Sequence, residues 1–248
     1  MMRRQVAAIW ATLLCSMVFS GLSQAQGQTG SPCGDPFRNH YGPYDYRVTT
    51  PQQRAIVENV HFTPAVESLR AGNTSMGPGG DLDYTLNVYP NHHRALMSMM
   101  KFAVRERNAR PGGVQFSIEC RFDRAERFRP DDAMVKVIHG LYLIQTGKPA
   151  DAITKLEQAR ELDSNNANVH YNLGLAYFDL KKFDQALESA HVAYAQGFPL
   201  PGLRDKLRRA GKWRDPVPVV ESASPEVTMP ESVEDAVQPD PQAAPAAD

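Results

Sequence analysis

Small residues recur at a fixed period in the second half of this chain. The offset from Gly140 to Gly174 is 34, and the same offset relates a series of alanines: Ala152 to Ala186, and Ala125 to Ala159 and Ala193. A fixed period of about 34 is typical of arrays in which pairs of helices stack on one another. Glycine inside a helix costs about 1 kcal/mol relative to alanine. We therefore expect the repeated small residues to mark places where two helices approach closely.

Two successive segments carry a fuller version of this pattern. In residues 167–200, His170 stands where a tryptophan is usual, and the pattern continues at Leu173, Gly174, Tyr177, Ala186, Ala190 and Ala193. Residues 133–166 repeat it at Gly140, Leu143, Ala152, Leu156 and Ala159. Both segments resemble the tetratricopeptide (TPR) repeat family. Residues 90–132 are similar to a divergent first repeat, which matches at Ala125, Phe128 and Pro130 and is displaced by an insertion around Asn108–Gly113.

The resemblance implies an all-α fold, a short TPR-type array of helical hairpins with two full repeats and one divergent repeat. Residues 26–89 precede the array as an irregular extension with short helices and loops. Residues 201–214 follow it as a capping helix. Leu203 and Leu207 give that helix one apolar stripe with basic residues around it, which is typical of the cap on a repeat stack.

Both ends of the chain fall outside the array. The basic start MMRR, the apolar run at positions 6–22 and the small residues Ser23 and Ala25 are typical of a cleaved secretory signal peptide at residues 1–25. Residues 215–248 contain eight acidic residues, seven prolines and no lysine or arginine, which predicts a disordered tail. We therefore expect an exported, periplasmic protein with no integral membrane segment after signal cleavage.

The charge of the chain argues against one class of partner. The formal net charge is −1, and setting the acidic tail aside leaves a body that is only mildly basic. No stripe of lysine and arginine interleaved with aromatic residues is present in the sequence. Nucleic acid is therefore not expected as a partner.

Removal of the signal peptide leaves two cysteines, Cys33 and Cys120. In an oxidising compartment such a pair more often forms a disulfide than stays free. Two unpaired thiols are the alternative, because spacing alone does not establish the geometry of a bond. We predict the disulfide.

Partners of TPR proteins usually bind in a concave groove lined by the first helix of each pair. Carried over by position, the groove residues here are Met134, Val137, Leu141, Ile144, Asn168, Tyr171, Leu175 and Phe178. The resemblance thus implies a mostly apolar groove, and it lacks the lysine and arginine set with which the family clamps a C-terminal carboxylate. Such a groove either binds an apolar helix or extended segment of a protein partner, or is filled by the protein's own N-terminal segment as core.

The extension gives weaker signals. The stretches TPQQRAIVENV and TPAVESLR each begin with threonine followed by proline, which predicts two short helices. The glycine-rich stretch that begins at Met76 is predicted to be loop with extended segments as far as Tyr89, since one short strand cannot form a sheet alone.

The extension and the start of the array also hold potential metal ligands: His61, Asp81, Asp83, His92 and His93. Their spacing is not diagnostic, and adjacent histidines on a helix point about 100° apart. The alternative is that Asn91 and the histidines satisfy free amides at a helix start while the aspartates hydrogen-bond a turn. We predict no metal, no cofactor and no catalytic residue, because no phosphate-binding glycine loop, paired-cysteine motif or nucleophile elbow is present in the sequence.

The sequence therefore favours a non-catalytic adaptor or assembly factor of the cell envelope that binds a protein or peptide partner. The competing hypothesis is a metal-binding or enzymatic protein whose site lies in residues 33–93, with the repeats as a scaffold.

Overall fold

The structure, a computed structural model, describes residues 31–216, and the regular secondary structure in that range is entirely α-helical. Ten α-helices follow one another in that range: α1 (Pro51–His61), α2 (Pro64–Glu67), α3 (Gly77–Val88), α4 (His93–Glu106), α5 (Ile118–Phe128), α6 (Ala133–Gln145), α7 (Pro149–Leu162), α8 (Ala167–Asp179), α9 (Phe183–Ala195) and α10 (Gly202–Arg209). The predicted all-α class is confirmed. The predicted signal peptide and the predicted tail beyond residue 216 lie outside the described residues.

Side-chain caps begin the first helix of each full repeat, and they follow the same period as the small residues. Asp132 caps α6 by accepting hydrogen bonds from the amides of Met134 and Val135. Asn166 caps α8 by accepting one from the amide of Asn168. These caps satisfy amides that have no partner within the helix, so the local sequence determines where each repeat begins.

Helices α4 to α9 form three successive pairs, and α10 packs on α8 and α9. A Cβ placed on Gly140 of α6 would lie 2.8 Å from Leu156 Cγ of α7. A Cβ placed on Gly174 of α8 would lie 2.3 Å from Leu203 Cδ2 of α10 and 3.3 Å from the carbonyl oxygen of Ala186 in α9. The glycines mark close approaches, as predicted, but the nearest side chain to Gly174 comes from the capping helix.

Three hydrophobic clusters run along the stack. The first joins the extension to α4, α5 and α6 and includes Leu86 and Phe122. The second lies among α6, α7 and α8 around Leu156, and the third among α8, α9 and α10 around Leu207. Neighbouring clusters share a helix, so apolar burial couples each pair to the next.

The two short helices predicted in the extension are present. Thr50 caps α1 and Thr63 caps α2, and in both helices a proline occupies the first turn. Proline is well suited to that position because the amide it lacks would have no partner inside the helix.

The prediction of a loop with extended segments up to Tyr89 was wrong, because residues 77–88 form α3. Leu82 and Leu86 of this helix are fully buried. Packing requires a glycine at position 79, because a Cβ on Gly79 would lie 2.1 Å from the carbonyl oxygen of Gly112. Burial of the apolar face therefore overrides the low helix propensity of the glycines.

The predicted disulfide between Cys33 and Cys120 is present and joins the N-terminal loop to α5. Arg124 of α5 donates a hydrogen bond to the carbonyl oxygen of Cys33 at 3.1 Å, and Arg127 donates one to that of Gly34 at 2.6 Å. The loop is thus fixed to the divergent repeat by a covalent bond and by hydrogen bonds.

Candidate functional site

The predicted groove residues lie on α6 and α8, but they differ in exposure. Val137 is 2% exposed and Tyr171 is 9% exposed, whereas Asn168 is exposed. The remaining five are half-buried: Met134, Leu141, Ile144, Leu175 and Phe178. Val137 and Tyr171 are therefore buried in the core, and the accessible part of the predicted groove is formed by the other six residues.

The C-terminal part of the chain closes the groove at α8. The ring of Phe198 stacks on that of Tyr171 with 4.1 Å between centroids. The ammonium of Lys206 in α10 lies 5.3 Å from the ring centroid of Phe178, and the ring of Phe183 meets Phe178 edge-on. The stacking of Phe198 accounts for the burial of Tyr171, which the repeat pattern alone did not indicate.

The described part of the extension does not reach the α8 part of the groove, although Met134 and Leu141 pack against the cluster that contains its Phe62 and Val66. Among the described residues, the clusters built on α6–α8 and on α8–α10 contain no side chain from residues 31–89. Those residues pack instead on α4 and α5, for example through Phe62 and Val66 in the first cluster. The described part of the N-terminal segment therefore does not bury Val137 or Tyr171.

Helix α4 contributes to the concave face and was missed by the sequence comparison. His93 begins α4 and Ala133 begins α6, so the offset between these helices is 40 and not 34. At that offset Arg94, Met97 and Lys101 correspond to the groove positions of α6. The insertion between α4 and α5 lengthens the offset beyond the 34 residues of the full repeats, so a search at that period does not align α4 with α6.

A cavity of about 230 Å³ lies between α4 and α6, with one wall from α2. Its lining includes Met97, Met134 and Ile138 together with Glu67, Arg94 and Lys101. We call this cavity the α4–α6 pocket. Methionine side chains adapt to varied apolar shapes, and the charged groups stand at the edge of an apolar surface.

The charged groups of the α4–α6 pocket are not equivalent. Arg94 Nε donates to Glu67 Oε1 at 2.8 Å, and this hydrogen bonding lowers the pKa of Glu67. Lys101 is exposed and makes no salt bridge with any described residue. The pocket therefore combines a neutralised ion pair with one cation that is available to a ligand.

His61, the first of the five potential metal ligands named above, is part of a network that stabilises a turn. His61 Nδ1 lies 3.0 Å from Asp81 Oδ1. The other oxygen of Asp81 accepts from the amides of Asn73 and Thr74, at 2.7 and 3.1 Å. Burial alone would raise the pKa of Asp81, but the hydrogen bonds from Thr74 and His61 outweigh it and lower the pKa. The carboxylate holds the turn that precedes α3.

The other two histidines act at helix starts. His92 caps α4, because its Nδ1 accepts from the amide of Ala95 while its Nε2 lies 3.0 Å from Glu58. Burial lowers the pKa of His92, consistent with a neutral ring. His93 Nε2 lies 2.9 Å from Asp132, the cap of α6. These contacts are the helix-start chemistry given above as the alternative to metal binding.

Asp83, the remaining potential ligand, forms a salt bridge with buried Arg121. Over residues 31–216 the structure contains no group of three histidine, cysteine, aspartate or glutamate side chains arranged to hold a metal ion. Within the same range, none of the helices has the length and apolar character needed to span a membrane.

Comparison with known proteins places the repeats in a family. Residues 140–181 match the family described as TPR repeat. The chain is 28% identical over 105 residues to protein O-mannosyl-transferase TMTC3 of Homo sapiens, which is 42% of this chain and 11% of that protein. Because so little of that relative is covered, its transferase activity is not extended to this chain. The solved structure named MamA MSR-1 C2 aligns with a TM-score of 0.39 and 15% identity, over 62% of this chain and 80% of that one.

The sequence period, the equally spaced caps, the stacked helix pairs and the family match agree with one another. Repeats of this kind are protein-interaction scaffolds. The match over residues 140–181 and the stacked helix pairs together identify TPR-type repeats within this chain.

Proposed function

We propose that this protein is an exported, periplasmic adaptor or assembly factor, without catalysis of its own, that binds a segment of a protein partner in the α4–α6 pocket. The observation that carries the proposal is the position of the pocket. It lies on the first helices of two successive pairs, the side of the stack through which TPR proteins usually bind partners. The α8 end of the groove is covered by Phe198, so the open part of the concave face is at α4 and α6.

The chemistry of the pocket defines the partner segment. Met97, Met134 and Ile138 offer an apolar surface that suits an apolar side chain of a helix or extended segment. Lys101 has no salt-bridge partner among the described residues and favours a carboxylate next to that side chain. We therefore expect a partner segment in which an apolar residue is flanked by aspartate or glutamate.

Two features support export. Residues 1–25 have the basic, apolar and small-residue order of a secretory signal. The disulfide between Cys33 and Cys120 belongs to an oxidising compartment, since cytosolic thiols are kept reduced. Mass spectrometry of the protein from a periplasmic fraction is expected to find a mature chain that begins at Gln26, and an intact Met1 would contradict export with cleavage.

Site-specific photo-crosslinking tests the binding surface. A photoreactive amino acid at Met97 is expected to capture a partner from cells, whereas the same group at Gln185, an exposed position on α9, is not. Lys101→Glu is expected to abolish the adduct at Met97, because it replaces the attraction for a carboxylate by repulsion. Lys182→Glu makes the same change of charge at another exposed position and is the matched control.

Equal capture at Met97 and Gln185, or equal loss with both lysine variants, would contradict binding in the α4–α6 pocket. The thermal midpoints of the variants should stay close to that of the native protein, since both lysines are exposed.

A further inference from the structure

A second cavity, of about 460 Å³, lies between the N-terminal loop, the end of α3 and the start of α5. Its lining includes Arg38 from the loop, Asn87 from α3, Gln115 and Phe116 from the segment before α5, and Arg124 from α5. We call it the Arg124 cavity. It is separate from the α4–α6 pocket, with which it shares no lining residue.

Arg124 is a buried cation without a carboxylate partner. The residue is 4% exposed, and its guanidinium carbon lies 4.6 Å from the ring centroid of Phe116. Its Nη1 donates to the carbonyl oxygens of Cys33 and Asp35, both at 3.1 Å, while its Nε has no hydrogen-bond partner among the described residues. No salt bridge joins Arg124 to any described acidic side chain.

The neighbouring charges do not compensate for this burial. Burial lowers the pKa of Arg124, and the positive charges of Arg121 and Arg127 lower it further. Arg121 is itself matched by Asp83, and Arg127 by Asp123. A buried, unpaired charge destabilises a folded protein, so an anion bound in the Arg124 cavity would supply the missing counter-charge.

The remaining polar groups of the cavity include further donors. Asn87 Oδ1 accepts from Arg121 Nη1 at 2.8 Å, which leaves the amide nitrogen of Asn87 to donate. Gln115 and Arg38 are exposed, and Arg38 makes no salt bridge with a described residue. The one carboxylate in the lining, Asp35, accepts from the amide of Phe37 at 2.9 Å. Two arginines against one aspartate give the lining a net positive charge.

We propose that the Arg124 cavity binds the phosphate group of a small soluble molecule, either inorganic phosphate or a phosphomonoester. The donors come from four different segments of the chain and surround the cavity from several sides. That arrangement suits the several oxygens of a tetrahedral phosphate better than a planar carboxylate, for which one bidentate arginine suffices. The disulfide holds the loop that carries Arg38 against α5, so the cavity exists in the oxidised protein.

Isothermal titration calorimetry of the full chain with inorganic phosphate and with glycerol 3-phosphate tests the proposal. Asn87→Asp is the diagnostic variant, because aspartate still accepts the hydrogen bond from Arg121 and adds a negative charge to the cavity. We expect it to weaken phosphate binding by about tenfold or more, through like-charge repulsion. Gln145→Glu makes the same change of charge at an exposed position that does not line the cavity, and it should bind as the native protein does.

Arg38→Gln provides a second variant, since this arginine is exposed and its loss should leave the fold intact. It is expected to weaken phosphate binding while the thermal midpoint stays unchanged. The proposal is overturned if neither phosphate compound binds, if Asn87→Asp and Gln145→Glu bind alike, or if acetate binds as tightly as phosphate. Binding only to vesicles that contain phosphatidic acid would also overturn it, because the ligand would then be a lipid surface.

Discussion

Leu203 of α10 packs over Gly174 in the way that Leu156 of α7 packs over Gly140. A Cβ on either glycine would lie closer than 3 Å to the leucine that covers it, 2.3 Å for Leu203 and 2.8 Å for Leu156. One repeat further along the chain, the counterpart of Leu156 is Ala190, which is too small to fill the same space. The capping helix therefore supplies the leucine that the last repeat lacks.

Leucine at Gly140 or Gly174 should destabilise the protein by about 1 to 3 kcal/mol through overpacking, although leucine is the better helix former. The loss should be larger at Gly140, where the atom in the way is the branch carbon of Leu156 and not a terminal methyl group. Urea unfolding measures the change. Ala150→Leu, at an exposed position of α7, is the control and should stay within about 0.5 kcal/mol of the native value. Stabilisation at both glycines would contradict the helix packing described above.

The contact between Leu203 and Gly174 can be measured by a double-mutant cycle. Leu203→Ala should lower the free energy of unfolding by about 2 to 5 kcal/mol, because the side chain is fully buried. Gly174→Ala should be costly in the native background and much less costly once Leu203 is alanine, with a coupling of about 0.5 kcal/mol or more. Urea unfolding of the four proteins gives the coupling, and strict additivity would show that α10 does not cover Gly174.

Loss of the disulfide should destabilise the protein without changing its helical content. The bond spans 87 residues, and the variant with Cys33→Ser and Cys120→Ser is expected to be about 2 to 5 kcal/mol less stable in urea. A reducing agent should lower the stability of the native protein by a similar amount and leave the double variant unaffected. If the reducing agent also lowered the stability of the double variant, the loss in the native protein could not be attributed to this disulfide.

The partly buried carboxylate of Glu126 should make the free energy of unfolding depend on pH in acid. Its oxygens lie 2.6 Å from His139 Nδ1 and 2.7 Å from Lys155 Nζ. Burial alone would raise the pKa of Glu126, but these hydrogen bonds outweigh it and lower the pKa from 4.5 to about 2. The folded state thus binds the proton less readily than the unfolded state, and the stabilisation present above pH 4.5 is lost as the pH falls towards about 2.

Glu126→Gln should therefore give a flatter dependence of the urea midpoint on pH in that window and a lower midpoint at neutral pH. Glu161→Gln, at an exposed position of α7, is the matched control and should follow the native curve. An unchanged slope for Glu126→Gln would mean that other carboxylates dominate the acid transition.

The repeats could be predicted because their information is local and recurs. One period of 34 residues relates Gly140 to Gly174 and the cap Asp132 to the cap Asn166. Comparison of one repeat with the next therefore reveals both. Helix α3 has no second copy. Its Gly79 lies next to the carbonyl of Gly112, and these two residues are far apart in sequence. Since the sequence does not reveal this contact, the glycine was interpreted as a sign of a loop.

The candidate sites were harder to predict from the sequence than the repeats, because they depend on contacts between distant segments. The position of α6 in the array predicted that Met134 and Leu141 lie near the groove. Lys101 of α4 corresponds to Leu141, but the insertion before α5 changes the offset, so the sequence pattern did not identify it. Tyr171 occupies a groove position by sequence and is buried because the chain returns to it at Phe198. The Arg124 cavity combines four segments of the chain, and only their folded arrangement shows that its arginine lacks a carboxylate partner.

The bond between Cys33 and Cys120 also determines how the protein responds to a pulling force on its two ends. The 87 residues of that separation represent about 300 Å of extended chain at roughly 3.4 Å per residue, and none of this length can be drawn out while the bond is intact. The capping helix α10 is held to α8 and α9 by non-covalent contacts only: apolar packing, the salt bridge from Lys206 to Asp179, and the hydrogen bond from the Arg204 amide to Tyr194. A force between the two ends would pass through the disulfide, so residues 34–119, which include α4, would bear no load, and the array would lengthen through the helices that follow Cys120.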